Sequence, residues 1–184
     1  MRLFMMRAAM SMMLITMAAA CGTENVNTAP ANNGGEGGSG GTKPAKKTAQ
    51  VGDTVNITDD SSGVSLAVTL RKVVDPAEPG EFETLPNGKR LVAAQFKVKN
   101  KSDDEYQDAP ANGARAIDTS GQAYEGGLLT ATDCEAFAGA EVRLTKGESQ
   151  RGCVTFEVGK KATIERIRFA ASSGFGSAAE WKVG

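Results

Sequence analysis

The three cysteines are the residues of this chain whose chemistry is most readily assigned, and Cys21 comes first along the sequence. Residues 1–20 contain Arg2 and Arg7, no acid, and a short apolar segment that ends in small residues. This composition is typical of a secretory signal, and the apolar segment is shorter than the about 20 residues that a spanning helix needs. We therefore predict cleavage before Cys21 and lipidation of its thiol by palmitate. The alternative is a plain signal peptidase site without lipid.

The other two cysteines, Cys134 and Cys153, have a different predicted role. In an exported protein, two remaining cysteines are expected to form one disulfide, whereas in a reducing niche they would stay free thiols. Residues 154, 156 and 158 are apolar and alternate with polar neighbours, so Cys153 should point to the opposite, outer face of its strand. We expect the bridge to attach the Cys134–Glu141 loop to the outside or edge of a sheet and not to cross the core.

The residue types of the chain give little indication of catalysis or metal binding. The chain has no histidine, which removes the usual base for a serine or cysteine nucleophile and the commonest zinc ligand. Serine–lysine and paired-carboxylate mechanisms stay open. The acidic clusters at 59–60 and 103–105 lack the spacing of a calcium-binding EF-hand loop. We predict a protein that is not an enzyme, with no cofactor and no metal site.

The net charge excludes one class of partner. Without the two arginines of residues 1–20, the 21 Lys and Arg fall to 19, against 22 Asp and Glu, a net charge of −3. Nucleic-acid binding requires a concentration of positive charge, and a polybasic membrane-binding segment does also. We therefore predict no nucleic-acid partner.

Composition divides the chain into three parts. Residues 1–20 form the predicted lipoprotein signal peptide, and residues 21–47 form a glycine-rich tether that begins with lipidated Cys21. The tether has too few apolar side chains to offset the chain entropy that folding would cost. Residues 48–184 are long enough for one domain with its own core.

The elements of that domain read as β-strands. Apolar and polar residues alternate with a period of two at 64–71, 92–99, 154–158 and 166–169, and a weaker strand is predicted at 51–57. Short strands with regular turn signals are typical of a sandwich. We predict an all-β, immunoglobulin-like antiparallel β-sandwich of about 7–9 strands with one disulfide.

Four segments make the chain similar to a known family: GDTV at 52–55, TLRKVVDP at 69–76, GKRLVAAQFKVKN at 88–100 and GCVTFEV at 152–158. In this order they resemble an uncharacterised telokin-like, immunoglobulin-like domain family of Gram-positive bacterial lipoproteins, similar to a mycobacterial secreted immunogenic antigen. The resemblance implies a sandwich fold and an extracytoplasmic location. It brings no catalytic motif, so no functional residue is carried over.

A proline-containing loop between two predicted strands is the best candidate for contact with a partner. Loops on a rigid scaffold are where binding residues concentrate, and here Glu81, Phe82 and Leu85 are the candidate binding residues. The alternative is that the apolar pair folds back onto the core. Phe137 and Phe175 are similar candidates for exposed anchors.

The sequence thus predicts a non-catalytic binding module, held by its N-terminal lipid at the outer face of the cell membrane. Its partner would be a protein or an envelope polymer. The alternative is a small-ligand or metal-binding carrier lipoprotein that serves a membrane system.

Overall fold

Strands with one apolar face build the molecule. The computed structural model describes residues 48–59, 62–137 and 141–184. Cys21, the predicted signal and the predicted tether lie outside the described residues. Within them, the elements in chain order are β1 Ala49–Gln50, β2 Thr54–Asp59, β3 Val64–Ala77, β4 Lys89–Asn100, β5 Tyr106–Asp108, α1 Pro110–Gly113, β6 Ala114–Asp118, β7 Ala123–Glu125, β8 Val142–Leu144, β9 Ser149–Gly159, β10 Ile164–Ala170, a 3-10 turn Ser172–Gly174, and β11 Ala178–Lys182. Neither described helix has the length or hydropathy that a membrane span requires.

The strands form two main sheets that face each other. The front sheet has the order β2-β3-β4-β9, and the back sheet has the order β1-β11-β10-β6-β7. Pairings between these strands are antiparallel except that of β1 with β11, and β5 and β8 form a separate small pair. The two main sheets contain nine strands, which confirms the predicted all-β sandwich with one disulfide.

The main core lies between the inner faces of the two sheets. On β4 the inward side chains are Val92, Ala94, Phe96 and Val98, all fully buried. The ring of Phe96 lies 5.2 Å from that of Phe169 on β10 and 6.1 Å from that of Trp181 on β11, between ring centroids. Aromatic contacts of this kind contribute about 0.5–1.5 kcal/mol beyond area burial.

A second apolar cluster covers part of the front sheet's outer face. Leu91 and Ala93 point away from the main core, yet neither is exposed to solvent. They pack with Ala131, Cys134 and Cys153, which come from later parts of the chain. The front sheet is therefore buried on both faces at this end, so that four consecutive residues, 91–94, are inaccessible. At its other end the outer face stays open.

The first strand differs from its prediction. Instead of one strand at 51–57, the chain forms β1, a turn and β2. Gly52 has a φ of 100°, a conformation that glycine adopts without steric cost, and Asp53 N–H donates to the carbonyl of Gln50 at 3.0 Å. The turn transfers the chain from the back sheet to the front sheet, which one continuous strand could not do.

Candidate binding site

The disulfide fixes the base of the candidate site. Cys134 and Cys153 are joined, with Cα atoms 5.8 Å apart. Both belong to the second apolar cluster, on the outer side of β9, where the alternation of that strand places Cys153. Cys153 N–H donates to the carbonyl of Glu135 at 2.9 Å. The segment after Cys134 is thus held to the edge of β9 by both a covalent bond and a hydrogen bond.

Two loops meet above this base, residues 78–85 and residues 127–134. The carboxylate of Glu83 accepts hydrogen bonds from the backbone N–H of Thr130 at 2.7 Å and from its hydroxyl at 3.0 Å. Gly80 N–H donates to the carbonyl of Thr130 at 3.1 Å, and Thr132 N–H donates to that of Glu78 at 3.0 Å. These bonds make the two loops one layer over the front sheet.

The same layer is attached to β9. Gly127 N–H donates to the carbonyl of Thr155 at 2.7 Å, and the hydroxyl of Thr155 donates to the carbonyl of Leu129 at 2.5 Å. Because the loops are bonded to each other and to the front sheet, binding of a partner requires little further ordering of these loops.

An apolar cleft of about 220 Å³ opens between the layer, α1 and β9. Its lining includes both cysteines of the disulfide, Phe137 and Thr155. Leu128 stands at its rim with 94% of its surface exposed.

The loop residues predicted from the sequence have different environments. Phe82 is 94% exposed, and Glu81 is also exposed. Leu85 is half-buried and packs against the second apolar cluster. This matches the alternative prediction, in which the side chain folds back onto the core. Phe82 lies between Gly80 and Glu83, the two residues bonded to Thr130, and Leu128 is two positions before Thr130. The two exposed apolar side chains are therefore carried by the two loops that these bonds join.

The two other aromatic candidates have opposite outcomes. Phe175 is 94% exposed, beside the 3-10 turn, whereas Phe137 is buried at 6% exposure. The prediction that Phe137 is an exposed anchor is wrong, because Gly152 on β9 leaves room for it. A Cβ atom at Gly152 would lie 2.6 Å from the Cα atom of Phe137. Phe137 therefore forms the floor of the cleft.

The sequence interpretation missed Leu128 and the cleft. A signal was present in Gly126-Gly127-Leu128-Leu129, since paired glycines allow close backbone approach. A Cβ atom at Gly126 would collide with the carbonyl oxygen of Ala111. This contact brings α1 close to the segment that lines the cleft, but Ala111 is distant in sequence and gives no local indication of it.

The buried carboxylates have structural partners. Asp118 accepts hydrogen bonds from the hydroxyl of Ser120 at 2.6 Å and the phenol of Tyr124 at 2.9 Å. These bonds, above all that from Ser120, lower the pKa of Asp118. Asp108 accepts from the backbone and hydroxyl of Ser173 at 2.8 and 2.5 Å. Their role is to hold turns.

One of these turns is strained. Ser172 and Ser173 have φ values of 52° and 53°, a region that non-glycine residues rarely adopt. The hydroxyl of Ser172 donates to Asp59 at 2.9 Å, while Ser173 is held by Asp108. Burial raises the pKa of Tyr106, whose phenol also donates to Asp108 at 3.1 Å. Across the described ranges, no three His, Cys, Asp or Glu side chains converge as metal ligands would.

Comparison with known proteins agrees with the fold. The family described as "Domain of unknown function (DUF4352)" matches residues 49–180. The secreted protein MPT63 of Mycobacterium tuberculosis is similar in structure at 15% identity and a TM-score of 0.54, over 77% of this chain and 100% of that one. The yjhA protein of Bacillus subtilis is similar at 12% identity and a TM-score of 0.53, over 74% and 100%.

A third structure is similar over part of its length. The candidate lipoprotein ycdA of Bacillus subtilis matches at 14% identity and a TM-score of 0.50, over 69% of this chain and 38% of that one. At such identities the likeness shows the fold alone. No curated protein matches the chain.

Proposed function

Since the chain belongs to the family described as Domain of unknown function (DUF4352), we propose a function from its surface chemistry. The protein is a lipid-anchored, non-catalytic binding module that holds a protein partner at the outer face of the cell membrane. The contact is made by the apolar surface, which we define as Phe82, Leu128 and the lining of the cleft.

The location is supported by three independent features. Residues 1–20 have the composition of a secretory signal, and Cys21 follows directly. The disulfide suits an oxidising compartment outside the cytoplasm. The fold is similar to that of a secreted protein and of a candidate lipoprotein.

The observation that carries the proposal is the exposure of Phe82 and Leu128 on fixed loops. Each is 94% exposed, and full burial of such a side chain contributes about 1.5–3 kcal/mol. On a flexible loop, a large apolar side chain would fold back against the protein, or binding would cost the conformational entropy of the loop. Here the hydrogen bonds that Thr130 donates to Glu83 and that Thr155 donates to Leu129 hold both loops in place. Large side chains that become fully desolvated near the centre of an interface carry most of its binding energy.

The size of the cleft favours a protein partner over a carried small molecule. Ligand pockets usually have volumes of about 300–1,000 Å³ and enclose most of the ligand. The cleft here measures about 220 Å³ and opens to solvent beside Leu128. The carrier function is the second candidate because the cleft lining is apolar. It predicts a small molecule that survives purification and is visible by native mass spectrometry.

Photo-crosslinking in cells tests the proposal. A photoreactive phenylalanine is placed at position 82, 128 or 175 of the full chain, and crosslinked proteins are identified by mass spectrometry. Phe175 is the matched control, since it is also 94% exposed but lies beside the 3-10 turn. We expect the same protein to be captured from positions 82 and 128 and not from 175. Absence of capture at 82 and 128, or one pattern at all three positions, would contradict the proposal.

A further inference from the structure

Five cationic side chains share the open half of the front sheet's outer face. Lys97 and Lys99 come from β4, Arg151 from β9, and Arg71 and Lys72 from a bulge in β3, and all five are exposed. Lys97 pairs with Thr69 on one side and with Arg151 on the other. We name these five residues the basic face. The basic face is separate from the apolar surface. It lies on the same sheet, at the end that the second apolar cluster does not cover.

The spacing of the basic face brings like charges together. Neighbouring strands lie about 4.8 Å apart, and alternate residues of a strand are about 6.8 Å apart. Lys97 and Arg151 are direct cross-strand partners, a pairing that is unfavourable for like charges. Among the described residues, none of the five forms an ion pair. Only Lys72 is engaged, since its Nζ donates to the carbonyl of Asp133 at 2.9 Å.

This arrangement is notable in an acidic domain. Residues 48–184 contain 16 Lys and Arg and 20 Asp and Glu, a net charge of −4. A domain with a surplus of acids could place a carboxylate opposite Lys97, and such pairs stabilise sheets. Instead, the neighbours on this face are hydroxyl and amide groups. The Thr54 and Thr69 hydroxyls are hydrogen-bonded to each other at 2.7 Å, beside Lys97. The face thus presents donors and positive charge without internal neutralisation.

The loops beside the basic face determine which shape of anion can reach it. The two loops over the second apolar cluster add a layer at one end of the front sheet. The basic face has no such layer over it, so it lies lower than the surface formed by these loops. Glu78, Glu81 and Asp133 on that layer are exposed. A flat anionic bilayer would contact these carboxylates before it reached the basic face, whereas a thin polymer chain can lie on the basic face beside them.

We propose that the basic face binds a linear polyanion with a phosphate or carboxylate on each repeat unit. Repeated anions can contact Lys97, Lys99, Arg151 and Arg71 in turn, and their binding relieves the repulsion between the cations. The proposal does not depend on the apolar surface, so the crosslinking experiment and the experiment below can fail separately.

The test measures binding of the purified full chain to long-chain polyphosphate and to poly-glutamate by fluorescence anisotropy. Four available cations predict a slope of about −3 in log affinity against log salt, by the coefficient for single-stranded polyanions. This slope corresponds to about a 50-fold loss of affinity between about 50 and about 200 mM salt.

Two charge-matched double variants locate the site. Lys97→Glu with Arg151→Glu should weaken binding at least tenfold and flatten the salt dependence. Lys160→Glu with Lys161→Glu makes the same charge change at another exposed place and should alter affinity by less than twofold. The neutral pair Lys97→Gln with Arg151→Gln, with an unchanged melting temperature, separates lost binding from lost folding.

Any one of several results would overturn the proposal. These are no binding of either polymer by the wild type, an equal loss in both charge-reversed variants, or binding to vesicles with about 30% anionic lipid in preference to both polymers. A duplex DNA of similar length is included, and preferential binding of DNA would also contradict the assignment.

Discussion

Gly152 is the residue whose substitution most directly tests how the cleft is built. It lies on β9 beneath Phe137. A Cβ atom at this position would be 2.6 Å from both the Cα and the backbone nitrogen of Phe137. Such distances do not occur in folded proteins. The ring of Phe137 is also too close, but a change of its rotamer would leave the two backbone contacts in place. In Gly152→Ala the segment around Phe137 must therefore move outward.

The expected cost follows from overpacking. Inserting one methyl group into a closely packed site destabilises a protein by about 1–3 kcal/mol, and the nearby disulfide at Cys153 prevents free retreat of the segment. Gly159→Ala is the matched control on the same strand. Its nearest neighbour would be the phenolic oxygen of Tyr124 at 4.0 Å, and removal of a glycine from the unfolded chain contributes about 0.4–1 kcal/mol of stability.

Urea denaturation followed by tryptophan fluorescence measures both variants, because the single tryptophan, Trp181, is buried in the core. We expect Gly152→Ala to lose stability and Gly159→Ala to keep or gain it, and hydrogen exchange should rise at residues 134–137 only in the first variant. If Gly152→Ala is as stable as the wild type, Phe137 does not occupy the position described, and the cleft is not formed as inferred.

Three further predictions concern the disulfide, a turn and the anchor. Replacing Cys134 and Cys153 by serine should lower the free energy of unfolding by about 3 kcal/mol, from the loop entropy of a 19-residue separation. Chemical denaturation measures this loss, and a loss near zero would mean that other contacts already fix the loop. Asp118 has a lowered pKa in the folded state, so its stabilisation is complete above its ordinary pKa and is lost as the pH falls through the lower folded value. The melting temperatures of wild type and Asp118→Asn should therefore converge in acid, and a constant difference down to about pH 2 would exclude this linkage. Cys21→Ala should move the protein from the membrane fraction to the medium, and unchanged fractionation would count against lipidation.

The alternation of apolar residues was sufficient to predict the sandwich. Val92, Phe96 and Val98 point inward as their spacing indicates, and Cys153 points outward. The alternation at 92–99 predicts one exposed face, and this is wrong for Leu91 and Ala93, which the second apolar cluster covers. A consecutive apolar run such as 91–94 is typical of burial on both faces, but it does not show what covers the second face.

The site was only partly predictable because it joins distant segments. Phe82 could be identified, since a proline-containing loop between strands tends to stay at the surface. The depth of Phe137 depends on the missing side chain of Gly152, and the cleft depends on the approach of Gly126 to Ala111. Such contacts follow from tertiary packing, and no local pattern encodes them. The basic face likewise emerges only when β3, β4 and β9 are placed side by side.

The affinity of the protein captured at Phe82 tests the central claim most directly. It is measured by surface-immobilised binding for the wild type, for Phe82→Ser with Leu128→Ser, and for the control Phe175→Ser. Loss of two exposed anchors, each contributing about 1.5–3 kcal/mol, predicts at least about a hundredfold weaker binding for the double variant and wild-type affinity for the control. Equal affinity of the double variant and the control would show that the apolar surface does not hold the partner.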